Sequence, residues 1–129
     1  MKTCVNNRDE MFILELRKIA YISANGNYSE LMFIEGQKQM LTLGLSQIEL
    51  IIKRSFPAGS ISPFIRLGRS LIINQNYVYY VNTVRQIITL SDCANHTYHL
   101  NVPKLLLKEY KNIIYRKFAH LQTEENNGK

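Results

Sequence analysis

A mainly β domain, with one short helix inside the chain and one at its C-terminal end, is the fold class this sequence predicts. Short apolar, β-branched runs recur at close spacing, with Gly- and Asn-containing turns between them. Only the stretches 46–54 and 103–118 carry apolar residues at helical spacing. The chain has 129 residues, 46% of them hydrophobic, which suits one domain around a packed core and argues against global disorder.

The elements follow in order. Residues 1–10 are polar and are expected to form a flexible N-terminus, with the domain spanning 11–118 and a flexible tail at 119–129. "MFILEL" alternates, with Phe12, Leu14 and Leu16 on one face, and reads as a strand. "IAYIS" continues in β-type residues. "ANGNYS" is a turn, where Asn-Gly supplies positive φ at little cost. "ELMFIEGQKQMLTLG" predicts a hairpin turning at Glu35-Gly36.

"SQIELIIKR" predicts the internal helix. Ser46 and Glu49 have capping-box spacing, Leu45 and Leu50 fit a hydrophobic staple, and Ile48, Ile51 and Ile52 give the buried stripe. "SFPAGSISP" demands a loop. Strands resume at Phe64 and Leu71. "YVYYV" and "RQIITL" pair around Asn82-Thr83, with the tyrosines expected to pack. "SDCANH" turns and "TYHLNV" returns. The last helix starts at Pro103, tolerated in a first turn, and places Leu106, Tyr110, Ile113 and Ile114, with Val102, on its apolar side.

The formal charge is +6 and the pI about 9.4, which favours a polyanionic partner such as nucleic acid or a membrane surface. No apolar run approaches the roughly 20 residues that cross a bilayer, and the N-terminus lacks the apolar segment of a secretory signal. A cytoplasmic protein is therefore expected, with Cys4 and Cys93 as free thiols.

"FIRLGRSLIIN" is the least ordinary stretch, because it carries Arg66 and Arg69 within an apolar run. An unpaired buried guanidinium would cost several kcal/mol. Gly68 offers a turn that ends one strand and starts another, with Arg69 at the junction. Arg66 alternates with Ile65 and Leu67 and so faces away from them, toward solvent. Two exposed guanidiniums on rigid β-structure could read phosphate or guanine. From this stretch alone, a solvated strand edge protected by charge is the better explanation.

Other constellations carry less. Cys93, His96 and His99 lie within seven residues. No fourth ligand is evident, and His96 and His99 point to opposite faces of a strand, so no metal site is expected. No catalytic triad order, P-loop or dinucleotide-binding turn is present. No catalytic residue, cofactor or small-molecule substrate is assigned. Tyr80 offers a stacking face for single-stranded RNA as a lesser alternative.

Together, "KIAYISANGNYSELMF", "LSQIELIIKR" and "FIRLGRSLIINQNYVYYV" resemble the LytTR family of bacterial DNA-binding domains. That family's blocks run roughly I-x-Y-I-E-A-x-x-N-Y, then a short helix, then F-x-R-x-H-R-S-x-I-V-N, a strand pair and a closing helix opened by a basic residue. The match covers about Phe12 to Tyr115. It departs from the pattern at Gly68, where histidine is usual, and at Ser23, where glutamate is usual.

The resemblance implies an elongated stack of small antiparallel sheets whose loops reach into DNA grooves. It implies a non-enzymatic transcriptional regulator binding double-stranded DNA at promoter repeats, with two copies on repeated half-sites. Asn27, Tyr28 and Ser29 fall on the first DNA-facing loop, Arg69 and Ser70 on the second, and Lys104 at the basic start of the last helix. Arg66 and Lys108 are expected to help neutralise backbone phosphates. No receiver domain precedes the module in these residues, so phosphorylation control in cis is not expected. The alternative is a protein-interaction module on the same scaffold that has lost specific DNA binding.

Overall fold

Strand pairing begins at the second residue. The computed structural model describes the backbone of residues 1–127 and the side chains of residues 1–118. β1 (Lys2–Asn6) pairs antiparallel with β2 (Met11–Glu15), so the N-terminus is an ordered hairpin strand rather than a flexible lead. Val5 explains the difference: it is buried in the core, and alternation turns Cys4 and Asn6 outward. A lone apolar residue among polar ones gives little periodic signal.

β3 (Ile19–Asn25), β4 (Tyr28–Phe33) and β5 (Lys38–Leu41) form the next antiparallel run. β3 and β4 meet in a two-residue turn, Gly26-Asn27, whose first residue has φ +62°. β6 (Phe64–Leu67) and β7 (Leu71–Asn74) are a tight hairpin, and β7 pairs with β3. The central sheet therefore has the order β5-β4-β3-β7-β6. β8 (Val78–Asn82), β9 (Ile87–Ser91) and β10 (Thr97–Asn101) make a third sheet with β9 in its middle.

The central sheet is covered on both faces. On one, Ile22, Leu31, Leu41 and Ile72 pack with Ile48 and Ile52 of α1 (Leu45–Ser55) and with Val5 and Leu14 of the first hairpin. On the other, Ala20 and Ile73 pack with Ile88 and Leu90 of the third sheet and with Leu107 and Tyr110 of α2 (Lys104–Asn127). Ile72 and Ile73 are neighbours in sequence and belong to different cores, as strand alternation requires.

Three helical details differ from expectation. α1 starts one residue early, capped at Gly44, whose N–H donates to the Gln47 side chain at 2.9 Å. Ser46 and Glu49 are not its capping pair, and Leu50 is exposed, so no staple forms there. α2 buries Leu107 and Tyr110 and leaves Ile113 exposed. Its backbone continues past Phe118 to Asn127, because 119–126 contain neither Gly nor Pro to stop it. The side chains of the tail expected at 119–129 lie outside the described residues.

Asn74 is the main polar group inside. Fully buried, it donates from Nδ2 to the Ile19 carbonyl (3.0 Å) and accepts from the Asn76 N–H (3.0 Å), fixing the exit of β7. Among the described residues, no helix is long and apolar enough to cross a membrane.

Candidate nucleic-acid interface

Four chain segments converge at one end of the central sheet. The first is the β3–β4 turn, where Asn27 and Tyr28 are exposed. The second is the start of α1: a Cβ built on Gly44 would lie 3.8 Å from the Asn27 carbonyl. The third is the β6–β7 turn, Gly68-Arg69-Ser70, where the Ser70 carbonyl accepts from the Ala24 N–H at 2.9 Å. That bond ties the turn to β3 just before its own turn. The fourth is the first turn of α2, where Leu106 covers Gly68 so closely that a Cβ there would lie 2.8 Å from its Cδ1.

Asn27, Tyr28, Arg69, Ser70, Lys104 and Lys108 are all exposed on these segments. Arg69 and Ser70 project from a turn made tight by Gly68 at φ +77°. Lys104 opens α2, with no acidic residue in its first turn, and Lys108 follows one turn later on the same side. Two lysines and an arginine thus join amide, hydroxyl and phenol groups. The set can hold phosphates by charge and offer mixed donors and acceptors to base edges.

Two residues expected to reach DNA are placed otherwise. Ser29 is fully buried, and its hydroxyl donates to the Leu43 carbonyl at 2.8 Å. It shares the inward face of β4 with Leu31, and the segment's polar look conceals that alternation. Arg66 faces opposite to Ile65 and Leu67 as expected, but not toward open solvent: it sits beside Ile72 on the face that α1 covers, half-buried and engaged within the protein. Its Nε donates to the Gly68 carbonyl (3.0 Å) and its Nη2 to the Arg69 carbonyl (3.3 Å). Its Nη1 donates to Ser46 Oγ (2.9 Å) and to Glu49 Oε1 (3.3 Å). Ser46 and Glu49 are the residues that sequence reasoning missed here. Their spacing signals one helix face, and that face serves Arg66.

Elsewhere, the polar residues near Cys93 pair among themselves. His96 Nδ1 lies 3.0 Å from Asp92 Oδ2, and His99 Nδ1 lies 2.9 Å from Thr89 Oγ1. Asp92 also accepts from the His96 and Ala94 N–H groups. Together these hold its carboxyl at about 2, below the ordinary 3.8. Among the described residues no three metal-ligating side chains cluster. Tyr79 and Tyr80 do not pack inward as expected; both are exposed, across a register shift between Val78 and Tyr80 that disturbs the alternation.

The model of the LytTR DNA-binding domain family matches residues 9–114. The chain belongs to this family. A solved structure from Bacillus cereus, described as the LytTr DNA-binding domain of a methyl-accepting/DNA response regulator, is similar at a TM-score of 0.57 and 18% identity. The similarity covers 88% of this chain and 95% of that one. It bears out the LytTR fold, mainly β with three antiparallel sheets and two helices. No curated protein matches the chain. Gly68, where the family motif usually carries histidine, has a packing reason in this LytTR domain: Leu106 occupies the space a side chain would need.

Proposed function

We propose that this LytTR domain binds double-stranded DNA sequence-specifically and serves, without enzymatic activity, as a transcriptional regulator in the cytoplasm. The observation that carries this is the gathering of Arg69, Ser70, Asn27, Tyr28 and Lys104 on three abutting segments at one end of a rigid sheet. Arg69 reads a base, with guanine O6 and N7 its best bidentate match. Lys104 enters at the start of α2, and Lys108 neutralises phosphate one turn further on. Asn27 and Tyr28 make the third contact, and Ser70 donates to backbone beside Arg69. Two copies occupy repeated half-sites in promoters. Family membership supports DNA as the partner.

A protein-interaction module remains the second reading. Tyr79, Tyr80, Val84 and Tyr115 favour it, since all four are exposed on or beside β8 and α2.

Selection from a random duplex pool tests the two. A repeated motif bound roughly 1000-fold tighter than random duplex supports the specific regulator. In that case Arg69→Ala relaxes base preference, while Lys108→Ala weakens all duplexes alike and lowers the salt slope by about one. No enrichment, together with salt-tolerant capture of a protein, supports the second reading. Equal loss of specific and non-specific binding in Arg69→Ala removes Arg69 from base readout.

A further inference from the structure

We propose that Arg66 is a positioning residue for DNA recognition: it clamps the β6–β7 turn to α1 so that Arg69 is held ready to read. The inference rests on the proposed readout by Arg69. A guanidinium has five N–H groups in a fixed plane. Arg66 directs four hydrogen bonds along that plane, two to each side. The carbonyls of Gly68 and Arg69, both in the turn, take the bonds from Nε and Nη2. Ser46 and Glu49, both on α1, take the bonds from Nη1. The guanidinium is therefore a rigid bridge between a glycine-containing turn and the first turns of a packed helix.

Charge supports the same division of labour. Glu49 pairs with Arg66 at 3.3 Å, and both side chains are about three-quarters covered, at 29% and 25% exposure. This pair cancels itself, which leaves Arg69 as the uncompensated cation of the turn. Arg69 is exposed and enters no ion pair among the described residues. Leu106 closes the turn from the opposite direction by packing over Gly68. Arg69 and the start of α2, where Lys104 projects, then share one frame. With the backbone of the turn fixed, Arg69 has only its side-chain rotamers left to order when it meets a base, and geometry of this kind distinguishes sites more than it attracts phosphate.

Lysine is the telling replacement at 66, since it keeps the charge but cannot span four acceptors in one plane. The assay is anisotropy at several salt concentrations, with a duplex selected from the random pool and a scrambled duplex of the same length. Arg66→Lys should lower the ratio of specific to scrambled affinity roughly ten-fold. Scrambled affinity and its salt slope should stay unchanged. Glu49→Ala, which leaves the other three bonds, should shift the ratio in the same direction and carries the test if Arg66→Lys does not fold. Arg66→Lys combined with Arg69→Ala should discriminate no worse than Arg69→Ala alone. An Arg66→Lys or Glu49→Ala protein that discriminates like wild type overturns the clamp. So does Arg66→Ala lowering the scrambled salt slope by about one, the mark of a phosphate contact. A wild type that does not discriminate overturns the underlying reading, and the clamp with it.

Discussion

Replacing Gly68 by alanine tests the best-defined steric feature of the interface. Gly68 has φ +77°, and a Cβ there would lie 2.8 Å from Leu106 Cδ1. The left-handed backbone costs an L-residue roughly 1–2 kcal/mol. Ordinary carbon contacts lie near 3.5–4.0 Å, so the Leu106 methyl must move away, at an off-rotamer cost of about 0.5–1.5 kcal/mol. Reduced freedom of the unfolded chain returns about 0.4–1 kcal/mol. The balance is a loss of about 2 kcal/mol. Urea unfolding can be followed by tyrosine fluorescence, since the chain has eight Tyr and no Trp. With an m-value of about 1.5–2 kcal/mol/M, the midpoint should fall by about 1 M at constant slope. In a Leu106→Ala background the displacement cost vanishes, so the double variant should lose about 1 kcal/mol less than the sum of the singles. An unchanged midpoint for Gly68→Ala refutes the strain argument. Additivity within about 0.3 kcal/mol refutes the role given to Leu106.

Further expectations concern the core and the acid limb of stability. Asn74→Leu should cost about 2–3 kcal/mol by thermal or urea unfolding, because the Ile19 carbonyl and Asn76 N–H lose their partner; a neutral result would mean that water replaces the amide. Leu107→Ala should cost about 2–5 kcal/mol, whereas Ile113→Ala should stay near 0.5 kcal/mol, reversing the order that helix periodicity alone suggests. Asp92 titrates at about 2 in the folded protein against 3.8 ordinarily, a depressed value. Its stabilisation is therefore complete above 3.8 and lost as pH falls through about 2. Asp92→Asn should flatten the melting temperature against pH in that window, and an unaltered profile would remove the loop's carboxylate from acid stability.

Strand and helix placement was legible where one face is apolar over several residues, as in β2, β3, β7 and α1. β1 was not, because a single buried Val5 carries it. The last helix was found, but two overlapping apolar stripes compete along it. Packing against Ile88 and Leu90 selects the one through Leu107 and Tyr110. At the candidate interface, the turn residues Asn27, Arg69 and Ser70 could be picked out by residue type and by family resemblance. Ser29 could not be separated from them, because its inward orientation depends on where β4 starts. The partners of Arg66 were beyond reach for a related reason. Ser46 and Glu49 lie 20 and 17 residues away, and local spacing offered them a role in capping instead.

The placement of β7 between β3 and β6 also has a consequence for synthesis. β3 pairs through Tyr21 with Ile73, a partner about fifty residues later in the chain. At roughly 5–20 residues per second on the ribosome, that strand waits several seconds for its neighbour. During the wait its edge groups toward β7 are unpaired, and Ala20 and Ile22 lack the later elements that bury them in the finished fold. α1 is made in the interval and can shield the Ile22 side. The Ala20 side has no cover until β8, β9, β10 and α2 emerge. The half-made chain is thus most exposed to misassociation on the sheet face that the last third of the protein closes.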